Sequence, residues 1–308
     1  MTHVNSDRLV GRNMKSTIST PLLGPVIMGT LVTANLQEVV DAYVNYLHLH
    51  VIETGHLKKA LVSMWQTPAI EGNPYSILAN AFGEPWLRII EDTSCTKTEG
   101  LKHAGWISLE VLVDDVDTLA ASLIGSSFKV LRPVANLDMS DKIRAVQIEG
   151  PAGEVLYLTQ IKEQVPPFEL PIARCAVDHL FIPILCSHDR RASLSFYQKL
   201  ADWEGLSFET KITVINQAYG YDLSKKHPVA TLQLAGKTLI EIDEIPAASA
   251  RPHQDGHLAS GIAMITFGVQ KMHEMPLKMH HIKSAFYGNK HASCIKGPTG
   301  ELVELIDV

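Results

Sequence analysis

The chain has 308 residues, 46% of them hydrophobic and 19% charged, with a formal charge of −6 at neutral pH. That length accommodates two domains of roughly 150 residues with a proper buried core, and the acidic balance gives no electrostatic footprint for nucleic acid or an anionic membrane. No apolar run approaches the ~18 residues that a membrane-crossing helix requires.

Residues 1–24 carry scattered charges and no continuous apolar stretch, so they read as a loose lead-in rather than a secretory signal. Cys95, Cys175, Cys186 and Cys294 show no CxxC spacing, which points to free thiols in a reducing compartment and to a cytoplasmic protein. The first unit opens with the strand VIMGTLVTA (26–34). A helix follows, in which Leu36, Val39, Val40, Tyr43 and Leu47 fall at helical spacing behind an Asn35 cap. Strands near Ser63–Trp65, Tyr75–Ala79 and Trp86–Ile90 complete it. The second unit opens with GWISLEVLV (105–113). Its helix starts at Asp114 and Asp115 and ends at Gly125, and it closes on IRAVQIEG and VLYLTQI. Pro166, Pro167 and Pro171 then favour an extended linker over 164–174.

The third unit repeats the plan with VDHLFIPIL (177–185), the helix HDRRASLSFYQKL (188–200), and strands near FETKITVIN, VATLQLAG and KTLIEIDEI. The fourth has IAMITFGV (262–269), a helical stretch KMHEMPLKMHHIKS interrupted by Pro276, and a final LVELIDV. Between them lies a long polar segment, 246–261, the best candidate for a mobile loop over a site. An internal repeat ties the halves together. GPAGEVLYL (150–158) returns as GPTGELVEL (297–305), a Gly-rich turn feeding an alternating strand in which Leu302 and Glu304 share one face. The later copy has Glu304 where the earlier has Tyr157.

VDHLFIPI followed by SLSFYQKL, the junction EVLVDDVDTLAA and the two GPxGExxxL turns together resemble the vicinal oxygen chelate family, which includes glyoxalase I, bleomycin-resistance proteins, methylmalonyl-CoA epimerase and extradiol dioxygenases. The resemblance covers residues 26–308. It implies an α+β fold of four βαβββ modules forming two tandem glyoxalase-like half-barrel domains, one over 25–163 (modules one and two) and one over 175–308 (modules three and four).

It also implies a divalent first-row metal (Mn, Fe, Zn, Ni or Co) held by residues of first and last strands. By register the C-terminal half offers His179, Glu304 and Glu241 as metal ligands, with Met264 where a dioxygenase has a second histidine. Met28, Ser108 and Tyr157 leave the N-terminal half without such ligands. On the residues alone, Glu304 stands out as a carboxylate among apolar neighbours, which is costly unless paired or metal-bound. Glu241 shares that pattern, with Asp243 on the same face. Glu241, His257 and Tyr221 are the candidate catalytic groups; Tyr219 and His253 rank behind them, and HEMPLKMHH reads as surface. The expected activity is an isomerase or lyase reaction on a small substrate with vicinal oxygens, the metal acting as Lewis acid. Ring-cleaving dioxygenase and metal-free binding protein are the alternatives. The expected assembly is a monomer or homodimer.

Overall fold

A computed structural model of the protein describes residues 20–97, 99–137 and 140–308. Most of the expected lead-in, residues 1–19, lies outside the described residues. Module one comprises β1 (Leu23–Thr33), α1 (Leu36–Leu47), β2 (His50–His56), α2 (Lys59–Trp65), β3 (Pro74–Ala79) and β4 (Pro85–Glu91). Module two comprises β5 (Gly105–Val113), α3 (Val116–Ser122), β6 (Lys129–Leu137), β7 (Ser140–Glu149) and β8 (Val155–Ile161). Module three follows with β9 (Val177–Ser187), α4 (Arg190–Ala201), β10 (Leu206–Lys211), α5 (Thr213–Tyr219), β11 (Lys226–Gln233) and β12 (Leu239–Glu244). Module four has β13 (Gly261–Val269), β14 (His280–His281), β15 (His291–Lys296) and β16 (Leu302–Asp307).

Local chemistry sets the helix starts. Asn35, Asp115 and Asp189 each accept a hydrogen bond from a backbone N–H in the first turn of α1, α3 and α4, and α1 buries the stripe Val39, Val40, Tyr43 and Leu47. Three local expectations change. Residues around Ser63–Trp65 form α2, not a strand; Val214 to Tyr219 form α5, not the end of a strand; and the fourth module has only a single 3₁₀ turn, Met272–Glu274, before Pro276. In each, a few apolar residues fit either periodicity, and packing decided.

The larger correction concerns pairing. The two eight-stranded sheets run β14-β15-β16-β13-β1-β4-β3-β2 and β10-β11-β12-β9-β5-β8-β7-β6. Each sheet therefore takes one module from each half of the chain: modules one and four make the first, modules two and three the second. Half-barrels confined to 25–163 and 175–308 are not what the strands build. The alternation of a strand fixes which face is buried but not which edge it meets, so the repeat shows the modules without showing their partners. Segments 92–104 and 245–260 are the two crossings between sheets, and they bind each other through Ala104 N–H to Ser249 C=O (2.9 Å) and Ser249 N–H to Lys102 C=O (2.9 Å).

The convex faces pack back to back on a shared core that includes Leu31, Leu87, Phe267, Leu109, Leu156 and Ile240, with α1, α3 and α4 against it. Contact is close at Gly29, where a Cβ would stand 2.9 Å from Leu109 Cδ1; glycine lets β1 lie directly on the second sheet. The repeated GPxGE turn explains itself here. Glu154 and Glu301 are buried and accept hydrogen bonds from Tyr43 OH (2.7 Å) and Tyr197 OH (2.8 Å), each tyrosine coming from a helix of the opposite sheet's module. The two concave faces are left for chemistry.

Candidate functional site

On the concave face of the first sheet, β1, β4, β13 and β16 bring Thr30, Arg88, Thr266 and Glu304 together, because Thr30 pairs with Arg88 and Thr266 with Glu304. Arg88 is 1% and Glu304 0% exposed. Glu304 Oε2 accepts from Arg88 Nη2 at 2.9 Å and Thr266 at 2.7 Å, while Oε1 accepts from Trp65 Nε1 at 2.8 Å and Tyr287 OH at 2.6 Å. Arg88 also donates to Thr30 and to Tyr287. Burial works against its charge, but Glu304 and Tyr287 hold the guanidinium above its ordinary range. Four donors thus take both carboxylate oxygens, one of them a fixed cation. The centre does not fit a metal ion, and Glu304 as a metal ligand is corrected to one half of a buried ion pair.

His179 is corrected by its position. Its Nδ1 lies 3.0 Å from Asp178 Oδ1, and Asp178, 0% exposed, also pairs with Arg174 and accepts from Asn80 of module one at 2.9 Å. His179 and Glu241 share the second sheet, yet Glu241 pairs with Ile184, five residues beyond His179 along β9. At about 3.3 Å per residue that places them roughly 16 Å apart. Glu304 is in the other sheet. His179, Glu241 and Glu304 do not form one centre.

The second sheet gathers a different set. Glu241 and Asp243 alternate onto its concave face, and Glu110 and Tyr157 stand opposite each other on β5 and β8. Glu110 and Glu241 thus flank β9. Glu110 is 9% exposed and accepts from Thr159 at 2.7 Å; Asp243 is 1% exposed and, apart from the Glu241 carboxyl, neither of its oxygens finds a donor among the described residues. Burial first, then the Glu241 charge, push Glu110 up to about 8. Burial drives Glu241 up to about 7 and drives Asp243 upward too, helped by the Glu241 charge, and the two neighbouring carboxyls share a hydrogen bond. Tyr157 is pushed up by burial and by these three acids. Of these, sequence reasoning named Glu241, Asp243 and Tyr157 and missed Glu110. The signal was available: an acid inside the apolar strand SLEVLV, the same argument applied to Glu304.

The remaining candidates lie elsewhere. His257 Nδ1 is 2.6 Å from Asp92 Oδ2 and so is occupied, and His253 is an exposed partner of Asp255. Tyr221 stacks on Tyr219 with Lys225 Nζ 3.2 Å above its ring, and Tyr219, at the end of α5, carries its hydroxyl toward Cys186 and is pushed up to about 12 by burial. The HEMPLKMHH cluster is mostly exposed. All four cysteines are free. Among the described residues no group of three His, Cys, Asp or Glu side chains could hold a metal ion, and no helix is long and apolar enough to cross a membrane.

Paired βαβββ modules curling around two concave faces define the vicinal oxygen chelate fold, here with four modules in one chain and each sheet drawn from both halves of it. The structure is similar to that of glyoxalase I from Zea mays, at 14% identity and a TM-score of 0.57 over 92% of each chain. A single-residue variant of that enzyme matches at 15% identity and a TM-score of 0.58, covering 92% of this chain and 93% of that one. A Bacillus subtilis protein provisionally described as a dioxygenase matches at 12% identity and a TM-score of 0.61, covering 94% and 86%. At these identities the likeness is one of fold. No family model matches the sequence, and no curated protein matches it.

Proposed function

We propose that the protein is a divalent-metal-dependent isomerase or lyase acting on a small substrate with neighbouring oxygens, and that its site is the concave face of the second sheet. One observation carries this reading: Glu241 and Asp243 lie buried side by side there, with Glu110 on the other side of β9, and apart from the Glu241 carboxyl Asp243 has no donor for either oxygen among the described residues. Such a group needs a proton or a cation. Glu241 and Asp243 are hard oxygen donors, suited to Mn more than to thiolate-loving metals, and an ion they held would draw its remaining ligands from substrate and water, because no three such side chains are placed to hold one among the described residues. Bound there, it would supply Lewis-acid polarisation of substrate oxygens. The chain's own groups do the rest. Glu110 titrates near neutrality, as a general acid or base must, and because Thr159 occupies its Oε1, Oε2 is left to carry the proton. Glu110 is 9% exposed, which limits water.

Metal content by mass spectrometry, after stripping and reloading with Mn²⁺, tests the reading. Near one equivalent is expected in the wild type, lost in Glu241→Gln and kept in Glu244→Gln, whose carboxylate faces the Arg190 N–H instead. No uptake under any loading condition favours the second reading, a metal-free binding protein. That alternative is supported by the absence, among the described residues, of three side chains already placed as ligands. Ring cleavage by an iron site with two histidines gains no support, since the positions that converge are carboxylates.

A further inference from the structure

The tract HEMPLKMHH ends on β14, the outermost strand of the first sheet. β14 pairs antiparallel with β15, which sets His280 opposite Ala292 and His281 opposite His291. Successive side chains of a strand turn to opposite faces. His280 therefore shares its face with the buried Ala292, and burial lowers its pKa. His281 and His291 stand side by side on the other face, and both are exposed. Their ring centres are 6.2 Å apart with the planes at 61°. Apart from that contact, neither ring has a partner among the described residues, so their nitrogens are uncommitted.

This is the geometry of a chelate. Residues directly opposite on an antiparallel pair have Cβ atoms about 4.5–5.5 Å apart, and two imidazoles sharing one ion at a metal–nitrogen distance of about 2.0–2.1 Å bring their ring centres to roughly 5–6 Å. A small rotation of two exposed side chains covers the difference, because the paired backbone already holds both residues in register. Two neutral nitrogen donors with no carboxylate beside them suit Zn, Ni or Cu rather than Mg or Ca. The lysines near in sequence, Lys278, Lys283 and Lys290, are exposed, so solvent and salt screen their repulsion. Between the two histidines runs segment 282–290, which carries the Tyr287 hydroxyl onto Glu304 at 2.6 Å and the Phe286 N–H onto Glu53 at 2.8 Å.

We infer that His281 and His291 form a two-imidazole chelate site for a first-row divalent cation such as Zn²⁺, water filling the remaining positions, and that the ion staples together the two ends of segment 282–290. The site is independent of the second-sheet carboxylates. Its test is a calorimetric titration with Zn²⁺ of the untagged Glu241→Gln chain, in which the Glu241–Asp243 pair is already broken. One equivalent is expected to bind; adding His281→Gln or His291→Gln weakens it at least about tenfold, whereas His280→Gln leaves it unchanged. Zn²⁺ should also shield His281 and His291, but not the exposed His273, from carbethoxylation by diethyl pyrocarbonate, read residue by residue by mass spectrometry. Absence of Zn²⁺ uptake, unchanged affinity in both His281→Gln and His291→Gln, or protection of His273 equal to that of the pair overturns the assignment.

Discussion

The centres of the two sheets occupy matching strand positions and solve opposite problems. Arg88 of β4 corresponds to Glu241 of β12, Glu304 of β16 to Tyr157 of β8, and Thr266 of β13 to Glu110 of β5. In the first sheet one acid meets one base, and every polar atom of Glu304 is satisfied. In the second, two matching positions are acidic, a third acid, Asp243, stands beside Glu241, and no base among the described residues enters the cluster. The first arrangement is self-contained and serves the fold. The second costs stability through repulsion and desolvation, which is the pattern of groups kept for chemistry rather than for packing.

The largest effect should come from breaking the neutral centre. Arg88→Met strands Glu304 in an apolar interior, and removing one partner of a buried pair costs about 3–5 kcal/mol, measured by urea unfolding. Replacing both, Arg88→Met with Glu304→Met, should return most of that loss, because it removes the uncompensated charge. A single substitution costing nothing would erase the contrast between the sheets. The acidic centre should respond to pH instead. Glu110 holds its proton more tightly folded, at about 8, than at its ordinary value of 4.5. Between those values the native state therefore binds more protons than the unfolded one, and stability falls as pH rises. In chelator, Glu110→Gln should flatten that fall and stabilise the protein most above pH 8; an unchanged slope would show that the acid cluster carries no strain.

Much of this was legible. The four modules, the capped helices at Asn35 and Asp115 and the inward faces of Leu302–Glu304 follow from period and turn chemistry. The inward pointing of both Glu241 and Asp243 follows from the two-residue period once either is inward. What failed was non-local. Nothing in LVELIDV announces that Arg88, 216 positions away, fills the space a metal would take, although an arginine within WLRII is as conspicuous as the acid it neutralises. Likewise a histidine at the head of a strand looks the same whether or not carboxylates gather beside it, and His179 stands five residues along β9 from the position that pairs with Glu241.

The smallest predicted effect concerns the repeat itself. Tyr197→Phe removes one hydrogen bond from Glu301, whose Oε2 still accepts from the Thr299 backbone and hydroxyl, so its cost should be about 1 kcal/mol. Tyr43→Phe is less protected. Glu154 Oε2 already lacks a partner among the described residues, and burial holds this acid at about 7, with Tyr43 the side chain that pulls it down. Without that donor Glu154 should keep its proton to higher pH, so the penalty for Tyr43→Phe should grow as pH rises past 7 while that for Tyr197→Phe stays level. Thermal unfolding of both variants at pH 6 and pH 8.5 measures the difference. Equal pH dependence would mean that the two turns, alike in sequence, are also alike in energy, and that the asymmetry between the sheets ends at their concave faces.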